Sequence, residues 1–250
     1  MIFLIPYFGL PTQSLTSHLI FEVLAYFIGF RYYLYLKKSK GDSIDYQNRL
    51  MIVIGAAFGA LVGSRLLGAL ENLTLFWEYK TNFMYYYANK TIIGGLLGGL
   101  WGVELCKKMI GESQSSGDLF TYPLIVGIAI GRIGCFLAGL SDNTHGSPTD
   151  FFLGYDFGDG ILRHPIQLYE IAFLFLLLLG LISLSRRVKL ASGALFKLFM
   201  IFYLTFRFFI EFIKPVYLLP FGLSSIQLAC LLGLLYYYRF ILMPNKLMTH

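Results

Sequence analysis

Gly131-Arg132-Ile133-Gly134-Cys135-Phe136 places an arginine inside residues 119–140, an apolar run long enough to cross a lipid bilayer. A charged side chain near the bilayer midplane costs about 2.5–3.5 kcal/mol on insertion scales, so it persists where it meets a partner, water or a polar ligand. The pattern recurs as Gly63-Ser64-Arg65 and as Phe206-Arg207-Phe208, each within another apolar stretch. Three such arginines converging on one cavity would suit an anionic ligand that lives in the membrane, most simply a phospholipid. Arginine suits phosphate better than lysine because its planar fork makes two parallel hydrogen bonds. Gly131 and Gly134 flank Arg132 and remove side chains that would block a headgroup.

Working outward, the chain of 250 residues is 57% hydrophobic and 14% charged, against about 25% charged in ordinary soluble domains. Spans need about 20 predominantly apolar residues. Seven stretches qualify: roughly 18–36, 50–70, 91–109, 119–140, 166–185, 192–213 and 222–243. The expectation is an all-α integral membrane protein with seven transmembrane helices, forming a single polytopic domain over residues 1–250. With seven spans, one side receives Lys37, Lys38, Lys40, Arg49, Lys107, Lys108, Arg186, Arg187, Lys189, Arg239 and Lys246. The other receives only Lys80, Lys90, Arg163 and Lys214. The positive-inside rule then puts the N-terminus outside, in the periplasm, and the C-terminus in the cytoplasm. Because these charges cluster in short loops between apolar runs, the net charge of +6 does not point to nucleic acid. The apolar Met1 to Gly9 has no basic leading region and no small-residue cleavage site, and reads as part of the mature protein.

Two external segments exceed what a hairpin needs. Residues 71–90 carry Trp77, Phe83 and Tyr85-Tyr86-Tyr87, an aromatic density suited to a membrane interface. Residues 141–165 are polar and rich in turn formers. They run into Arg163-His164-Pro165-Ile166-Gln167-Leu168-Tyr169-Glu170, where Pro165 suits a helix start and the first amides attract anions. Gly94-Gly95 and Gly98-Gly99 put a smooth strip on one helix face, which in membranes is a packing surface. Ser224 with Gln227 has the spacing of a capping box, a helix start in itself.

Glu22, Glu170 and Glu211 are available to neutralise the buried arginines, and Glu211 lies four residues after Arg207, on the same helix face. Arg132 has no acidic residue at helical spacing within its own span. Cys106, Cys135 and Cys230 are too scattered for a disulfide framework or a metal site, and no cofactor is expected. A cysteine beside a membrane arginine, Cys135, is a candidate nucleophile, although most cysteines in apolar spans fill space. His145, in the polar loop with Asp142, is a candidate acid–base group, against the plainer reading of an exposed loop histidine. His18 is grouped with these two.

Together these motifs resemble the prolipoprotein diacylglyceryl transferase family, in order and over most of the chain. The matching stretches are Gly63-Ser64-Arg65, Gly94-Gly95, Gly131-Arg132-Ile133-Gly134 with Phe136, and Arg163-His164-Pro165 with Gln167-Leu168-Tyr169-Glu170. Arg207-Phe208 with Glu211-Phe212, and Leu223-Ser224 with Gln227, complete the set. The resemblance implies seven helices in the bacterial inner membrane. It also implies transfer of the diacylglyceryl group of phosphatidylglycerol to a lipoprotein cysteine thiol, releasing glycerol phosphate. The family's histidine, however, falls on Ile93, its signature asparagines on Cys135 and Ala138, and its glutamate on Leu140. A first-helix tyrosine falls on Glu22. This pattern resembles a divergent paralogue with retained lipid binding and changed chemistry.

The resulting expectation is a phospholipid-dependent transferase working at the outer face of the inner membrane on a protein or small-molecule acceptor. Arg132 and Arg207 would hold phosphate and stabilise the departing charge. Glu22 and His145 are the candidate general bases. Arg65, Gly131, Gly134, Cys135, Arg163, His164, Gln167, Tyr169, Glu170, Glu211, Ser224 and Gln227 would line the substrates. The alternative is a phospholipid-binding or lipid-translocating protein without covalent chemistry. A channel or small-molecule transporter is the weaker third reading, because no paired, interrupted hydrophobic segments suggest inverted repeats.

Overall fold

A computed structural model describes residues 12–248, so the apolar Met1 to Gly9 lies outside the described residues. The chain is mostly helical: α1 (Thr12–Lys40), α2 (Tyr46–Ala69), α3 (Leu73–Tyr79), α4 (Phe83–Ala88), α5 (Ile92–Ile110) and α6 (Asp118–Ala138), then α7 (Ile166–Arg187), α8 (Ala194–Ile210), α9 (Ser225–Tyr236) and α10 (Tyr238–Leu242). A two-stranded antiparallel ribbon, β1 (Tyr155–Asp156) and β2 (Leu162–Arg163), precedes α7. Helices dominate because lipid offers the backbone no hydrogen bonds, so each segment must satisfy its own.

All seven expected stretches are helical. Among the described residues, four segments are long and apolar enough to cross a membrane: His18–Lys40, Tyr46–Ala69, Asp118–Asp142 and Ile166–Arg187. The other three are shorter or more charged. α5 has 19 residues and carries Glu104, Lys107 and Lys108 towards its end, while α8 has 17. The stretch 222–243 divides into α9 and α10 because Tyr237 leaves helical geometry between them, at φ −94° and ψ 6°. Large apolar side chains face outward along the spanning helices, among them Phe27, Phe58 and Leu176, each more than half exposed. Such a surface suits lipid rather than water.

The fold divides into two compact units. The first contains α1, α6, the ribbon and α7, with residues 213–215. Tyr33 of α1 stacks on Phe120 of α6, ring centroids 4.5 Å apart and nearly coplanar. Tyr122 of α6 reaches Ser185 of α7, with 3.3 Å between the hydroxyl oxygens. Leu174 and Leu181 of α7 are fully buried. Gly41 closes α1 in the left-handed region, donating its N–H to the Lys37 carbonyl at 3.1 Å, a C-cap that glycine adopts without a Cβ penalty.

The second unit contains α2 to α5 and α8 to α10. Gly55, Gly59 and Gly63 on α2 face Gly94, Gly98 and Gly102 on α5, and the backbones touch. A Cβ added at Gly59 or Gly98 would enter the carbonyl oxygen of the other, so the glycine strip is a packing surface. Ser64 locks the upper end of this pair. Its hydroxyl donates to the Thr91 carbonyl at 2.9 Å and accepts from the Thr91 N–H at 3.1 Å. Thr91 in turn caps α5 by accepting from Gly94 N–H at 3.2 Å. Gly98→Leu is expected to destabilise the protein by about 1–3 kcal/mol, the usual cost of overpacking. A lowered midpoint of thermal unfolding in lipid nanodiscs checks this, and an unchanged midpoint contradicts it.

Arg49 is not a loose loop charge. It is buried, holds Asp42 with Nε at 2.8 Å and Nη2 at 2.5 Å, and donates Nη1 to the Ser116 carbonyl at 3.1 Å. Asp118 accepts from Gly193 N–H at 2.7 Å and Phe196 N–H at 3.2 Å, neutralising the exposed amides that open α8. Segments 71–90 fold as α3 and α4, capped by Asn72 and Asn82. They leave Trp77 and Phe83 exposed, as an interface-lying element would.

Candidate active site

Arg132 sits on α6 and meets Glu170 on α7, its Nε 2.9 Å from Oε2, with the carboxylate fully buried. This partner is invisible to a helical-spacing rule because it comes from another helix. The pair consumes one edge of the guanidinium, while Nη1 points to Cys135 Sγ at 3.8 Å, one turn along α6. A desolvated pair of this kind holds the arginine in one orientation. Replacing either member alone takes from the other, still buried, an opposite charge at 2.9 Å.

Next to it lies a polar cluster that joins α1 to the end of α6. His18 Nε2 stands 3.1 Å from Asp142 Oδ1, and its Nδ1 stands 3.6 Å from Glu22 Oε2, one turn further along α1. Asp142 Oδ2 accepts the Thr144 hydroxyl at 2.6 Å, and Thr144 Oγ1 accepts from Gln167 Nε2 at 2.9 Å. Gln167 is wholly buried, and its Oε1 is buried without a hydrogen-bond partner among the described residues. Buried polar atoms are as a rule hydrogen-bonded, so this oxygen is an acceptor open to a donor from outside the chain. The chain Gln167–Thr144–Asp142–His18–Glu22 therefore runs from α7 through the loop to α1.

Backbone pairing holds the loop in place. Gly146 N–H donates to the His164 carbonyl, His164 N–H to the Ser147 carbonyl, and Thr149 N–H to the Leu162 carbonyl, at 2.9, 3.2 and 2.9 Å. Ser147 N–H also donates to the Ile213 carbonyl at 2.9 Å. Asp142 and Thr144 are thus anchored immediately before a zipped segment.

The two glycines around Arg132 differ in role. A Cβ at Gly131 would meet nothing within 4 Å, which keeps that face open. A Cβ at Gly134 would come within 2.7 Å of Phe21 Cβ, so Gly134 allows α1 to press against α6. That contact sets the distance between His18 and Cys135. Gly134→Ala is expected to push α1 outward and reduce activity, and Phe21→Ala in the same chain to restore part of it. Turnover of the two variants side by side checks this; a full-activity Gly134→Ala enzyme contradicts it.

The remaining expected residues make contacts of their own. Arg207 pairs with Glu211 on its own helix face, Nη2 to Oε2 at 3.1 Å, both buried in the second unit. Arg65 donates to the Tyr87 carbonyl and lies over the Tyr87 ring at 5.1 Å. Ser224 and Gln227 form the capping box: Gln227 N–H donates to Ser224 Oγ at 3.1 Å and Ser224 N–H to Gln227 Oε1 at 2.8 Å. Gln227 Nε2 also reaches the Phe208 carbonyl at 3.4 Å, tying α9 to α8. Arg163 grips Asp159 with both Nη atoms at 2.7 and 2.8 Å, which holds that carboxyl below the usual aspartate range. His164 Nδ1 lies 3.2 Å from the Tyr169 hydroxyl. His145 faces the Gly146 carbonyl at 3.1 Å and the Phe157 ring at 6.0 Å, with neither contact in the His18 cluster. Ile93, where the resemblance places a histidine, is buried in α5.

The clustering of His18, Asp142 and Thr144 escaped the sequence reading. The available signal was a histidine four residues before a carboxylate inside the first apolar run, His18 and Glu22. Two ionisable groups there require a partner.

The sequence model of a family described as prolipoprotein diacylglyceryl transferase matches residues 7–243. A phosphatidylglycerol–prolipoprotein diacylglyceryl transferase of Ehrlichia ruminantium is 33% identical over 202 residues, covering 76% of this chain and 77% of that protein. The protein of the same name from Geobacter sulfurreducens is 30% identical over 213 residues, covering 76% of each. That of Clostridium tetani is 29% identical over 192 residues, covering 71% of this chain and 73% of its own length.

Proposed function

This chain belongs to the prolipoprotein diacylglyceryl transferase family, and we propose that it moves a diacylglyceryl group from phosphatidylglycerol to a thiol acceptor, a prolipoprotein cysteine in the first instance. The reaction takes place at the outer leaflet of a bacterial inner membrane, with seven spans, the N-terminus outside and the C-terminus in the cytoplasm. The acceptor sulfur attacks the glyceryl carbon that bears phosphate. A carbon–sulfur bond forms, the carbon–oxygen bond breaks, and glycerol phosphate leaves with the bonding electrons.

One observation supports this reading above the others. The buried Arg132–Glu170 pair lies beside the His18–Asp142 cluster, with Arg132 Nη1 3.8 Å from Cys135 Sγ. Arg132 is positioned to hold the phosphate and to meet the charge that grows on the leaving oxygen, an electrostatic role that is strongest in a dry site. The neighbouring cluster promotes loss of the acceptor's proton, which a thiol must lose before it attacks. Glu170 serves as the orienting counter-charge, Gln167 and Thr144 as positioning groups for Asp142, and open Gly131 as the approach for the headgroup.

The test is release of glycerol phosphate from labelled phosphatidylglycerol by the purified protein. It is run with a lipobox peptide, with a cell extract, and with neither. Peptide-dependent release is the expected result. Release with extract alone would assign another acceptor, identified by the mass of the lipid product. No release under any condition, with phospholipid still co-purifying, would leave a lipid-binding protein without covalent chemistry.

A further inference from the structure

We infer that His18, Cys135 and Asp142 bind a zinc ion whose remaining position takes the acceptor thiol. One ligand atom from each of the three lies within 4.8 Å of the other two. Zinc bonds of about 2.0–2.3 Å arranged tetrahedrally place ligand atoms about 3.3–3.8 Å apart. His18 Nε2 and Asp142 Oδ1, 3.1 Å apart, already fall near that spacing, and a shift of Cys135 Sγ by about 1 Å would complete it. Imidazole nitrogen, thiolate and carboxylate together select zinc over magnesium or calcium, which prefer oxygen alone.

The surroundings are those of ligands rather than of a simple charge cluster. His18 Nδ1, the nitrogen turned away from Asp142, faces the Glu22 carboxylate at 3.6 Å. A carboxylate behind a ligating histidine fixes its tautomer and raises its basicity. Asp142 Oδ2, the oxygen turned away from His18, accepts the Thr144 hydroxyl at 2.6 Å, and Gln167 supports Thr144. Cys135 Sγ accepts from Arg132 Nη1 at 3.8 Å. Each candidate ligand thus has its own outer partner.

Three protein ligands and an open fourth position are the arrangement of a catalytic zinc. The proposal rests on the transfer reading above and names how the acceptor is activated. A thiol that coordinates the ion loses its proton to solvent outright. The bound sulfur attacks the glyceryl carbon, the carbon–oxygen bond breaks, and glycerol phosphate departs carrying the electron pair towards Arg132. The product thioether, a neutral and weaker ligand, then leaves the metal. No oxidant or reductant takes part.

The experiment uses the full chain in lipid nanodiscs, stripped with a chelator and titrated with Zn²⁺ or Co²⁺ alone. About one equivalent should bind, and the Co²⁺ form should show tetrahedral bands and a thiolate-to-metal charge-transfer band. Cys135→Ser should abolish the charge-transfer band. His18→Ala and Asp142→Asn should remove stoichiometric binding, and Glu22→Gln should weaken it about 10–100-fold. Asp142→Asn is nearly isosteric, so an unchanged melting profile separates lost ligation from lost folding. Binding in this pattern, with chelator-sensitive and zinc-restored glycerol phosphate release, supports both proposals. Binding in this pattern without release under any acceptor keeps the metal site and overturns its role in transfer. Peptide-dependent release that is indifferent to chelation, with no metal bound, overturns the zinc site and leaves the transferase reading standing. Co²⁺ binding that survives Cys135→Ser and His18→Ala together also overturns the site.

Discussion

Arg132→Ala is expected to lower glycerol phosphate release by more than about 100-fold, the scale of a lost donor to a developing oxyanion. It is also expected to destabilise the protein by about 3–5 kcal/mol, because the buried Glu170 loses the guanidinium held at 2.9 Å. The two effects separate in a double variant. Arg132→Ala with Glu170→Gln removes the buried charge and should recover much of the melting temperature while recovering none of the turnover. Glu170→Gln alone should lower stability and reduce turnover less, since the guanidinium remains but loses its anchor at 2.9 Å. Arg132→Lys should fall between, because a lysine carries the charge without the planar fork. The measurements are turnover and thermal unfolding of all four proteins in the same lipid. If the double variant regained turnover together with stability, the arginine would be a packing element and no part of the chemistry.

Asp142→Ala is the second large effect. Asp142 is the hub of the cluster, with one oxygen towards His18 at 3.1 Å and the other holding Thr144 at 2.6 Å. Its loss disconnects α7 from α1 and removes the group that positions His18. Turnover should drop by about 10²–10⁴-fold, the range supplied by a working proton-transfer group. Phospholipid should still co-purify, because Arg132 and Glu170 are untouched. His145→Ala, three residues further on, should leave turnover near the parent value, since its contacts are Phe157 and its neighbour's carbonyl. Single-turnover assays at saturating lipid test both. A strong loss in His145→Ala with an active Asp142→Ala enzyme would move the chemistry out of the cluster and into the loop.

Much of the architecture is local and therefore readable from the chain. In lipid the backbone must pair within its own segment, so length and apolarity determine where helices form. The Arg207–Glu211 pair, the Ser224–Gln227 capping box and the glycine strip at Gly94 and Gly98 follow from spacing along one helix, and each is present. The family resemblance rested on motifs of this local kind, and the family's model matches residues 7–243. Arg132 shows where local reading stops. Its carboxylate, Glu170, lies 38 positions away on a different helix, and only the packing of α6 on α7 selects it. His18 and Asp142 are separated by 124 positions and meet because Gly134 lets α1 approach α6 and because the loop after Asp142 is zipped to residues 162–164. Composition and spacing determined that this chain is helical, apolar and built around buried arginines. Tertiary structure decided which charges face one another, because interhelical register depends on the shape of the contacting faces rather than on any interval in the sequence.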